Sequence, residues 1–298
     1  MPVPIPEAVE ESAGLARTKA KQVGNLPRYL LNSALAGAYV GVAVVLLVST
    51  AGPLAATGSP ATKLVSGAVF GVALTLVVFA GAELFTGNVM YMLQGLAAGA
   101  VTVAELAAVW IASLIGNLVG SLGFAWLVDA GGTLATSAKP GVPGPGAAMI
   151  ASLVKAKDTA TGPQLFWRSV LCNMLVCLAL WMATRTRSDS AKLIVLWWAL
   201  LAFVASGFEH SVANMTIYGL GILGHTATWS QLARNLAWTV PGNIAGGGIL
   251  VGLSYAWIGR TAPLLAGTSL SGTQPVEVNL TGNGAGSDAA RVGRRATS

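Results

Sequence analysis

The chain has 298 residues, of which 54% are hydrophobic and only 9% charged, with a mean hydropathy of +0.68. A soluble domain carries about 25% charged residues, so this composition excludes a soluble globular protein and assigns most of the surface to lipid. The formal net charge of +6 reads as membrane anchoring and not as a nucleic-acid footprint, since basic residues flank the apolar stretches.

The first 28 residues carry Glu7, Glu10, Glu11, Arg17, Lys19, Lys21 and Arg28 without an apolar run. That pattern lacks the features of a cleavable leader and predicts a short amphipathic helix at the cytoplasmic membrane surface. A transmembrane helix needs about 20 apolar residues. Uncharged stretches at 29–50, 64–82, 106–128, 169–184, 193–208 and 235–259 meet or approach that length, and 84–104 adjoins the second across the lone Glu83. The expectation is an all-α membrane protein of six spans within residues 29–260, the second and fifth interrupted. Residues 261–298, rich in Gly, Ser, Thr and Ala, read as a disordered cytoplasmic tail.

With the N-terminus inside, 11 of the 17 Lys and Arg residues fall on inner segments and 6 on outer ones. Both termini are therefore expected in the cytoplasm of a plasma-membrane protein. Trp110, Trp126, Trp229 and Trp257 lie near span ends, as interfacial belts do. Cys172 and Cys177, five apart on one apolar stretch, lack the partners of a redox or metal motif and read as small buried hydrophobes. No metal or cofactor is expected.

The polar residues carry a repeat. Glu83 and Glu209 are each followed five residues later by an asparagine, Asn88 and Asn214, and 34 residues later by Asn117 and Asn243. The second set follows the first by 126 residues, and three spans per half predict an inverted repeat with a ligand site between discontinuous helices. Gly81 and Gly87 flank the first break; Ser206 and Gly207 precede the second. A helix restarting at a break presents free N–H groups and the positive end of its dipole, which suits a small anion. A bare carboxylate would repel that cargo, so Glu83 and Glu209 are expected to be structural, accepting hydrogen bonds from the freed backbone N–H groups. Asn88, Asn214, Asn117 and Asn243 fit the same role. Thr86 and Asn173 could donate to an anion or could bond backbone. His210 is an ionisable group inside an apolar span, a type that marks pathways; His225 reads as a solvated loop residue.

At these residues the sequence becomes similar to a known family. Glu83-Leu84-Phe85-Thr86-Gly87 and the runs at 171–182 and 206–215 resemble the formate/nitrite transporter family, over roughly residues 28–260. The runs at 178–186, 197–203 and 215–216 look most like its nitrite branch. The resemblance implies an aquaporin-like fold and a homopentamer with one pore per protomer. It also implies an apolar constriction from Leu74, Leu84 and Phe85 and another from Phe70 and Phe203. His210 is implied to face the cavity between them near Thr86 and Asn173. Lys157, in preference to Lys155, is implied as an exposed charge that draws anions to the outer vestibule. The expected function is passage of nitrite, with a proton transiently acquired by the substrate as one route across the apolar rings. Formate and hydrosulfide are the alternatives within the family. An intramembrane enzyme using Glu209 and His210 as an acid–base pair is the remote alternative, unsupported by any accompanying nucleophile or metal-ligand cluster.

Overall fold

In the computed structural model, residues 1–134 and 142–260 are described, and every regular element in them is helical. Ile5–Val23 forms α1, Leu26–Ala56 α2, Thr62–Phe70 α3 and Val72–Phe79 α4. Phe85–Ala97 (α5) follows the first break, and Val103–Ala130 forms α6. Pro145–Thr159 (α7), Gly162–Thr184 (α8) and Asp189–Ala205 (α9) lead to the second break, after which Ser211–Leu223 forms α10. Trp229–Asn243 (α11), a π-helical stretch Ile244–Leu253 and Ser254–Ile258 (α12) complete the described chain. The tail expected at 261–298 lies outside the described residues.

Among the described residues, five helices are long and apolar enough to cross a membrane: α2, α3 with α4, α6, α8, and α11 through α12. Of the fifth expected span, 193–208, the 17-residue α9 covers most, and the 13-residue α10 follows it after the break; neither is long enough to cross a membrane by itself. On α6 the exposed residues Ile111, Ile115 and Val119 recur every four positions, giving one face that only lipid or another apolar surface can cover. Helix starts are set by local chemistry. Thr102, Thr161 and Thr228 each cap a helix in reciprocal capping boxes with Glu105, Gln164 and Gln231, closing orphan N–H groups.

Close packing relies on missing side chains. A Cβ on Gly120 would collide with the Ala34 backbone of α2, and a Cβ on Gly246, 126 residues later, with the Val170 backbone of α8. Glycine at these two points lets the helices meet backbone to backbone, the membrane substitute for hydrophobic association.

The amphipathic segment forms its helix but is no loose surface element. α1 buries Ala8, Ser12, Ala13 and Ala16, packs on α5 and α6, and is clipped by Val3 N–H to the Arg185 carbonyl at 2.9 Å and Arg185 Nε to the Val3 carbonyl at 2.9 Å. On its exposed side Arg187 bonds Glu11 and Glu7; the Glu11 hydrogen bond and charge, then Glu7, hold its guanidinium above its ordinary pKa.

Both breaks share one backbone device. Gly81 has φ +76° and Gly207 φ +75°, positions 126 residues apart, and only glycine adopts that left-handed region without strain. The turn reverses the chain into a short extended stretch ending at Leu84 (φ −97°, ψ 123°) and at His210 (φ −106°, ψ 115°), from which α5 and α10 begin.

Candidate functional site

The two breaks leave backbone groups with no helical partner, and one asparagine satisfies each set. Asn117 Oδ1 accepts from Phe85 N–H at 2.9 Å, while Nδ2 donates to the Glu83 carbonyl at 2.9 Å and the Ser33 carbonyl at 2.7 Å. Asn243 repeats this with Ser211 N–H at 2.9 Å and the carbonyls of Glu209 at 3.1 Å and Ser169 at 2.8 Å. An amide side chain both donates and accepts, so a neutral group closes each break at no charge.

The glutamates do something else, which corrects the expectation that their carboxylates cap backbone N–H groups. Both Glu83 oxygens lie 2.8 Å from Lys19 Nζ, and Oε2 also accepts from Tyr29 Oη at 3.2 Å and Asn88 Nδ2 at 3.0 Å. Glu209 Oε2 accepts from Lys157 Nζ at 2.7 Å and Asn214 Nδ2 at 2.8 Å. A carboxylate at these buried positions (5–6% exposed) requires a counter-charge, which a backbone N–H cannot supply. Asn88 and Asn214 keep a structural role by bonding these carboxylates.

Lys157 is therefore not the exposed charge that was expected. It is 8% exposed and paired, so its charge is largely neutralised by Glu209. Sequence reasoning missed Lys19 altogether. The two lysines are 138 residues apart, off the 126-residue offset, and Lys19 sits in a segment whose charges read as solvated.

His210 caps α10. Its Nδ1 accepts from Ala213 N–H at 3.1 Å, which leaves the hydrogen on Nε2 of the neutral ring, and Nε2 donates to Thr86 Oγ1 at 3.1 Å. Phe203 stacks on the imidazole with centroids 5.9 Å apart, and Phe70 meets Phe203 edge-on at 5.7 Å. The Thr86 carbonyl accepts from Asn173 Nδ2 at 3.1 Å and from Cys177 Sγ at 3.3 Å. Asn173 Nδ2 also donates to the Asn243 carbonyl at 2.7 Å. Both amide hydrogens of Asn173 are thus held by backbone, and the group fixes Thr86 in place instead of facing an anion. Cys177 is more than a packed hydrophobe, since it shares that task; Cys172 is buried. His225 is exposed, as expected.

Three cavities follow one another through the molecule. The largest, about 450 Å³, holds Lys63, Lys157, Arg168 and Glu209 and ends at Phe70, Phe203 and His210. Those same three residues open a central chamber of only about 10 Å³, walled by Val40, Ala73, Leu74, Leu84, Val176 and Leu200. Leu74 and Leu84 in turn wall the third cavity, about 290 Å³, with Lys19, Glu83, Asn88 and Tyr91. A space of about 10–15 Å³ holds one water, so the middle of this path is dry or nearly so. Four expected constriction residues, Phe70, Leu74, Leu84 and Phe203, line it. Phe85 lines none of the three cavities and is fixed through its amide to Asn117. Val40, Ala73, Val176 and Leu200 were not anticipated, because an apolar residue on an apolar helix carries no distinguishing signal.

The sequence pattern of the formate/nitrite transporter family matches residues 6–257. The nitrite transporter NirC of Salmonella typhimurium is 40% identical over 247 residues, covering 82% of this chain and 88% of that protein. A solved FNT family ion channel superposes with a TM-score of 0.78 at 39% identity, covering 86% of this chain and 99% of that one. A pentameric formate channel with formate bound superposes with a TM-score of 0.65 at 28% identity, covering 79% and 98%.

Proposed function

Because the chain belongs to the formate/nitrite transporter family, we propose that its three-cavity path carries a small monovalent anion, nitrite foremost, across the cytoplasmic membrane. The observation that carries this reading is the shared walls: Phe70, Phe203 and His210 join the wide vestibule to the chamber, and Leu74 and Leu84 join the chamber to the vestibule beside α1. An anion entering the chamber loses its water, which is costly in apolar surroundings. His210 lies at that point, and its Nε2–H, bonded to Thr86 Oγ1 behind the wall, is the polar group there able to turn to the anion in exchange. His210 is read as the substrate-facing residue, Thr86 as its hydrogen-bond partner, which lines none of the three cavities, and Asn173, Asn117 and Asn243 as the framework that holds them.

Nitrite is placed first because the NirC relative is a nitrite transporter at 40% identity. Formate is the second reading, favoured by the formate-bound neighbour of the same fold. That neighbour also supports a pentamer with one path per protomer. The distribution of Lys and Arg supports both termini in the cytoplasm. The chain is read as a conduit and not as an enzyme, since its relatives are transporters and channels.

Purified protein in liposomes tests this. Stopped-flow uptake of nitrite, formate and hydrosulfide is expected to exceed that of protein-free vesicles for at least the first two, with nitrite the fastest and formate competing with it. Background uptake of all three would refute the anion reading. Formate outpacing nitrite at equal gradients would select the second reading.

A further inference from the structure

The two vestibules are built on the same plan but carry different charge. Each contains a glutamate at a helix break neutralised by a lysine: Lys19 with Glu83 on one side, Lys157 with Glu209 on the other, both near 2.8 Å. In the vestibule beside α1 that pair is the whole of the Lys, Arg, Asp and Glu in the wall. The wide vestibule adds Lys63, from the first turn of α3, and Arg168, from α8. Lys63 is exposed and Arg168 half-buried. Among the described residues neither side chain has a hydrogen-bond or ion-pair partner.

The positions equivalent by the internal repeat lack these cations. Arg168 accepts Glu209 N–H on its carbonyl at 3.3 Å, just as Asn32 accepts Glu83 N–H at 3.4 Å. The residue in the place of Arg168 is thus a neutral asparagine. The 126-residue offset puts Asp189 in the place of Lys63, an acid whose carboxylate is bonded to Lys192.

We propose that Lys63 and Arg168 form the anion-collecting site of the wide vestibule, and that the Lys157–Glu209 pair, already neutral, does not. The proposal deepens the anion-channel reading and rests on it. A half-buried guanidinium with no partner, in a cleft of about 450 Å³ with low-dielectric walls, concentrates small anions at the mouth of the chamber. Its planar fork matches a carboxylate or a nitrite held by two oxygens. Lys63, further out, extends the attractive field. The vestibule beside α1 has no such surplus, so anion capture is asymmetric across the membrane.

The test is the initial rate of nitrite uptake at sub-saturating concentration, in vesicles of one orientation, at about 0.01 M and about 1 M of an impermeant salt, where screening lengths are about 30 Å and about 3 Å. Entry from the wide vestibule in the wild type is expected to fall steeply with salt. The Lys63→Gln/Arg168→Gln protein is expected to lose about tenfold at low salt, the low end of what focused charge adds to encounter rates, and to converge on wild type at high salt. Arg168→Lys, which keeps the charge, is expected to keep the salt dependence. A double variant that matches wild type at low salt, or one that loses the same factor at both salts, would overturn the proposal. A wild type that admits no anion at any salt would refute the underlying channel reading and this proposal with it, whereas a conducting wild type beside an insensitive double variant would defeat the proposal alone.

Discussion

At the scale of single residues, His210 combines two jobs that a substitution can separate. Its Nδ1 caps α10 while its Nε2 faces Thr86. Asparagine is a good N-cap but does not reach as far, so His210→Asn is expected to fold normally while altering selectivity or the pH dependence of flux. His210→Phe loses the cap, worth about 1 kcal/mol, and also closes the chamber with apolar bulk, so flux is expected to vanish. Superimposable flux–pH curves and selectivity for wild type and His210→Asn would reduce His210 to a packing residue. His225 offers a converse case. It holds φ +56°, while Gly99, 126 residues earlier, holds φ +66°. A non-glycine residue there carries strain of about 1 kcal/mol, so His225→Gly is expected to raise the thermal midpoint in detergent without changing flux.

At the scale of elements, the breaks stand or fall with Asn117 and Asn243. Alanine at either leaves the break's N–H and its glutamate carbonyl buried without a partner, at about 1–3 kcal/mol for each orphan; the expected result is a lower unfolding midpoint together with lost flux. Lys157→Met leaves Glu209 as an uncompensated buried charge, worth about 3–5 kcal/mol. The Lys157→Met/Glu209→Gln protein is expected to recover most of that loss, and a double variant no more stable than the single one would contradict the pairing. The break positions were legible in the sequence because each break needs the same polar groups, so Glu83 and Asn117 recur as Glu209 and Asn243 at one offset. Their division of labour was not, since choosing between carboxylate and amide as the backbone's partner depends on which cation packs nearby. Lys19 becomes that cation only when α1 docks against α5. The π-helical stretch at Ile244–Leu253 was likewise hidden, since Gly246, Gly247 and Gly248 carry no side chains whose periodicity could mark it.

At the scale of the whole molecule, the structure is a narrow, largely apolar constriction between two wider, charged vestibules. Composition alone dictated a membrane protein, and the motifs around Glu83 and Glu209 indicated the family, but the chamber walls come from helices far apart in sequence. The proposed five-copy assembly predicts a native mass of five 30.2 kDa chains, checked by native mass spectrometry from mild detergent. The most direct measurement is nitrite flux in proteoliposomes for two chamber variants with opposite effects on its width. Leu74→Ala enlarges a chamber of about 10 Å³ and Leu200→Phe fills it. With both proteins confirmed as folded oligomers, flux is expected to rise above wild type in Leu74→Ala and to fall to that of protein-free vesicles in Leu200→Phe. Wild-type flux in both would mean that the anion does not pass this way.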